Sequence, residues 1–160
     1  MKIAQYKGMY YIYNSNKRTC SIVTTRNEKI HDGFIFEDGA FFKSIQENDV
    51  QEIFEIYYRI KYDAGVKGVS TEWDVGCGIQ DINNDKILIR YSNGVLPGWN
   101  IEEKNVCIKY VDKEDIEYGE VIKIFHRKNG VTLTAPEKTV DRVDVDTLIS
   151  VHKEYQRNNL

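Results

Sequence analysis

The sequence predicts an α+β chain: mainly antiparallel β-sheet in about eight or nine short strands, with two amphipathic helices at about 49–63 and 145–157. Three observations predict it. Short β-branched and aromatic runs are separated by turn signals such as Lys7-Gly8, Asp38-Gly39 and Asn129-Gly130. Two acid-capped stretches repeat apolar residues at helical spacing. The chain of 160 residues, 41% hydrophobic and 12% aromatic, is long enough to bury a core without metal or disulfide staples, so 1–160 reads as a single domain.

The first forty residues read as a meander. Lys2–Tyr6 and 9–14 flank Lys7-Gly8, and Asn14-Ser15-Asn16 turns into 19–25, which is rich in β-branched residues. Residues 26–29 break the pattern, and 33–37 form a fourth strand closed by Asp38-Gly39. Asp49 with Glu52 then resembles a capping box, and Val50, Ile53, Phe54, Tyr57 and Ile60 make a helical stripe. Gln51, Glu52, Glu55, Arg59 and Tyr62 face away from that stripe, and Gly65 supplies a stop.

The second half returns to strands. Glu72–Val75 is short, with Gly76-Cys77-Gly78 as a bend, and Lys86–Tyr91 is a strong strand. Residues 95–99 contain Pro97-Gly98 and read as a turn. Residues 105–111 alternate, with Val106, Ile108 and Tyr110 on one face. Residues 112–118 form an acidic connection. Asn129-Gly130 joins 120–127 to 131–134 as the strongest hairpin signal, and 135–141 reads as a polar connection. The second helix is capped by Asp144 or Asp146, with Val145, Leu148, Ile149 and Val151 as its stripe and His152 and Tyr155 beside it.

Charge and cysteine usage narrow the function. A net charge of −3 disfavours direct nucleic-acid binding, which needs a basic field. Cys20, Cys77 and Cys107 are odd in number and widely spaced, which argues against a disulfide framework or a zinc site. Without an apolar leader or a membrane-length run, the expected location is cytoplasmic. His31, His126 and His152 show no metal-ligand spacing, and the glycines complete no phosphate-binding motif, so neither metal nor cofactor is expected.

Cys77, set between two glycines, is the one candidate nucleophile, yet no histidine near it in sequence supplies a base. A buried thiol in a tight bend is the plainer reading; the functional alternative is a small-ligand site or Cys-dependent hydrolase around Cys77. Acids cluster at Glu52 and Glu55, and at Asp112, Glu114, Asp115 and Glu117. Solvated charge is the plain account, and an acidic docking surface for a basic partner is the functional one. Trp73 and Trp99 lie at bends, and Tyr58 and Tyr62 lie off the helical stripe. Core packing is the commoner role for Trp; the functional reading makes all four aromatics contact anchors beside the acids.

Small size, acidity, Tyr and Trp richness, a β-meander, and stretches such as Glu72-Trp73-Asp74-Val75-Gly76 and 119–124 resemble the small cytosolic immunity proteins of bacterial polymorphic and contact-dependent toxin systems. The resemblance implies a non-enzyme that binds one cognate toxin, often a nuclease, and occludes its active site or an adjacent surface.

Overall fold

The computed structural model describes residues 1–16, 18–25 and 32–157. The break read at 26–29 and His31 lie outside the described residues. Among those described, the chain forms twelve strands and a single α-helix. They group into two compact units.

The first unit takes Met1–Ile56, Lys123–Thr139 and Lys153–Leu160. Its antiparallel order is β4 (Ile35–Glu37), β5 (Ala40–Ile45), β3 (Cys20–Thr24), β2 (Met9–Ser15), β1 (Lys2–Tyr6) and the start of β6 (Val50–Lys61). Lys7-Gly8 and Asp38-Gly39 both carry positive φ at each turn residue, as type I′ hairpins require. Asp38-Gly39 therefore opens β5, a strand absent from the sequence reading, as well as closing β4. One face packs Ala4, Tyr11, Tyr13, Ile22, Phe34, Phe41 and Ile53 into a core. The other collects Tyr10, Phe54, Phe125 and Tyr155 in edge-to-face and tilted ring contacts.

The helix expected at 49–63 is not there. Val50–Lys61 is a twelve-residue strand, preceded by a 3-10 turn at Glu47–Asp49. Asp49 caps backward, its carboxylate accepting the Gln46 N–H at 3.1 Å, rather than starting a helix. The helical spacing was a coincidence of two burial patterns. Ile53 and Phe54 are both buried because β1 and β6 are covered on both faces there, pairing Ala4 with Ile53 and Ile3 with Phe54. From Phe54 onward burial follows period two through Ile56, Tyr58 and Ile60. A shift in pairing between Gln5 and Tyr6 sets Val50 out of phase with that series. Each buried side chain contributes roughly 1.5–3 kcal/mol. Helix propensities differ by at most about 0.7 kcal/mol among ordinary residues, so packing decides the outcome.

The second unit takes Tyr57–Ile122 and Val140–His152. Its order runs from the end of β6 through β7 (Glu72–Val75), β8 (Lys86–Tyr91) and β10 (Val106–Asp112) to β9 (Asn100–Glu103). Four exposed residues make up β9, and its one apolar residue, Ile101, is too little to show an alternation in the sequence. The long hairpin of β11 (Tyr118–Lys128) and β12 (Val131–Val143) contributes to both units, and it turns at Asn129-Gly130 as expected. The stretch expected as a polar connection at 135–141 is part of β12. Among the described residues β12 pairs only with β11, which leaves an edge where Pro136 is tolerated.

The helix α1 (Val145–Arg157) has the expected limits. Asp144 caps it, accepting the Thr147 N–H at 2.7 Å. Leu148, Ile149 and His152, which belong to the second unit, are buried. Among the described residues no helix is long and apolar enough to cross a membrane.

Candidate functional site

In the second unit two segments meet around a depression of about 310 Å³, lined by Lys113, Glu114, Ile116, Glu117, Asp144, Val145 and Asp146. The first segment is a 3-10 turn, Lys113–Asp115, that follows β10. Its backbone is fixed at both ends: the Lys113 N–H donates to the Asp85 carbonyl at 2.8 Å, and the Glu117 N–H to that of Lys61 at 2.9 Å. The second segment is the cap and first turn of α1. Ile116 and Val145 are buried, and they anchor the two segments while the acids between them stay exposed.

Four carboxylates against one ammonium line this depression. Lys113 Nζ lies 3.0 Å from Asp146 Oδ1 and ties the two segments together. The hydrogen bond to Asp146 raises the Lys113 pKa above the ordinary lysine range. The backbone N–H and hydroxyl of Thr147 hold the Asp144 carboxyl below its usual value, so it stays ionised. On the flank, Asp112 pairs with Lys86 at 3.3 Å, and Asp115 is exposed. Asp144 and Asp146 appeared in the sequence only as helix caps. Nothing local linked them to 112–117, because the meeting depends on how the chain returns.

The other predicted contact residues lie elsewhere. Glu52 and Glu55 belong to the first unit, half-buried, with Glu55 Oε2 3.3 Å from His126 Nε2. Tyr58, expected exposed, is 1% exposed, while Tyr57, expected in the buried stripe, is 42% exposed. This reversal follows directly from the helix being a strand. Tyr62 is also buried. Trp73 and Trp99 pack against each other at 5.3 Å between ring centroids, and the Trp73 indole N–H donates to the Tyr62 carbonyl at 2.9 Å. All four aromatics are therefore core residues, and the expected surface loses its aromatic half.

The Gly76-Cys77-Gly78 bend is organised around Asp81. The Gly78 N–H donates to Asp81 Oδ2 at 2.9 Å, and Arg90 Nη1 to Oδ1 at 3.2 Å. A Cβ on Gly76 would lie 2.2 Å from Asp81 Oδ2, so the glycine is there for the carboxylate. Burial pushes the Cys77 thiol up, which works against a thiolate. Of the two described histidines, His126 sits with Glu55 in the first unit, and His152 makes no hydrogen bond through either ring nitrogen among the described residues. Neither ring is hydrogen-bonded to the Cys77 thiol. Among the described residues no group of three or more His, Cys, Asp and Glu is placed to hold a metal ion.

No protein-family model, no curated protein and no solved structure matches the chain.

Proposed function

We propose that the chain is a protein-binding inhibitor of the immunity type, which uses the acidic depression of its second unit to engage a basic protein, with a nuclease toxin as the fitting partner class. One observation carries this reading: Glu114 and Glu117 are brought beside Asp144 and Asp146, about thirty residues away in the chain, around one exposed concavity. A basic active site that binds phosphates would meet here a comparable arrangement of carboxylates.

Physical magnitudes say how such a surface works. Two unit charges 4 Å apart interact by about 1 kcal/mol in water and about 4 kcal/mol near a protein surface. Salt at physiological strength screens beyond roughly 8 Å. An exposed acidic rim therefore contributes mainly to association rate and partner choice. Buried anchors, which usually carry affinity, are not supplied by Trp73 or Trp99, so the partner's own side chains must fill the concavity.

The test is binding to basic nuclease toxin domains, measured as association rate against ionic strength. The double variant Glu114→Lys/Glu117→Lys is expected to lower the association rate about tenfold at low salt, with the difference shrinking as salt rises. Equal rates for the two proteins would overturn the assignment of this surface.

A further inference from the structure

His152 stands out among the titratable groups of the second unit. It is 2% exposed, and among the described residues neither ring nitrogen has a hydrogen-bond partner. Its ring meets Tyr58 of β6 edge-on, with centroids 5.4 Å apart and planes at 82°. One turn earlier on α1, Leu148 lies against Gly119 of β11 so closely that a Cβ there would be 2.4 Å from Leu148 Cδ1. The helix is thus seated closely on β11 one turn before the buried imidazole.

We propose that His152 is a proton-sensitive latch for the start of α1: neutral, it lets the helix rest on its sheet, and protonated, it forces residues 145–152 off that seat and disperses the acidic rim that Asp144 and Asp146 form. The clause about the rim rests on the acidic docking surface described above; the latch does not.

The physical case is one of burial. A neutral imidazole without a partner is already unfavourable in the interior, and an imidazolium there is far more so. Among the described residues, Tyr58 presents a phenol to the ring from β6. Asp81, from the loop before β8, is the charged group that acts on the ring and favours its cation. That carboxylate already accepts from Gly78 and Arg90, and burial outweighs it, so the folded-state pKa is lowered. The sign follows. An unfolded imidazole titrates near 6.5. With the folded value below that, the open state binds more protons, so the closed state is fully favoured above about pH 7 and loses ground as pH falls from about 6.5 towards the folded value.

Hydrogen exchange of the backbone amides in 145–152 tests this on the full chain. Protection factors are compared at pH 7.5 and 5.5 for the wild type, His152→Leu, His152→Phe and His126→Gln. The wild type and His126→Gln are expected to lose about tenfold in protection at the lower pH, one unit below the unfolded pKa. The two His152 variants are expected to hold theirs within about twofold. Unchanged wild-type protection overturns the latch, as does an equal loss in either His152 variant that folds. Binding of a ten-residue lysine peptide to the same samples separates the two proposals. If the peptide fails to bind at pH 7.5 while the exchange pattern is as expected, the latch stands and the acidic docking surface falls.

Discussion

Leu148 Cδ1 lies 2.4 Å from where a Cβ on Gly119 would stand, and Leu148 Cβ lies 3.2 Å from it. Because the nearer stem of the side chain is involved as well as its tip, a change of rotamer alone does not relieve the contact. Gly119→Ala is therefore expected to destabilise the protein by about 1–3 kcal/mol through overpacking. Leu148→Ala alone is expected to cost about 2–5 kcal/mol as a cavity. The double variant should cost less than the sum, because each change accommodates the other. Urea denaturation of the four proteins checks this.

Trp73 is expected to matter for stability and not for partner binding. Its indole N–H is held by the Tyr62 carbonyl, and its ring packs on Trp99 and Tyr91. Trp73→Phe leaves a buried carbonyl without that donor, at a cost of about 1–3 kcal/mol. A lowered melting temperature with an unchanged association rate at low salt is the predicted pair of results.

Cys77 is expected to be a slow thiol. Burial raises its pKa, and the thiolate is the form that reacts. Alkylation by iodoacetamide at pH 7.5, followed by peptide mass spectrometry, should run about tenfold or more slower at Cys77 in the native protein than in urea. Native reaction as fast as in the unfolded chain would revive a catalytic reading of this bend.

Local signals in the sequence carried the hairpins and the last helix. Asn129-Gly130 and Lys7-Gly8 tolerate the positive φ that a two-residue turn demands, and Asp144 caps α1 through its own side chain. These features depend on neighbours in the chain. Val50–Lys61 was misread because its burial on two faces near Ile53 and Phe54 imitates a helical stripe, and only the partner strand β1 reveals which period applies. Residues 135–141 were misread because an edge strand exposed on both faces has no apolar alternation to show. The same dependence governs the candidate site. Glu114 and Glu117 were visible as a charge cluster, whereas the contribution of Asp144 and Asp146 arises from the return of the chain. Asp81 gave no signal, since its role lies in the space left by Gly76 and the charge of Arg90.

The most direct test of the inhibitory account is growth rescue. A basic nuclease toxin domain that binds this chain is expressed in a bacterial host, alone, with this chain, and with its Glu114→Lys/Glu117→Lys variant. The account predicts that the domain arrests growth, that the wild-type chain restores it, and that the charge-reversed variant, shown by its melting temperature to be folded, restores it poorly. Arrest that the wild-type chain does not relieve, or relief that is equal with the variant, would contradict it.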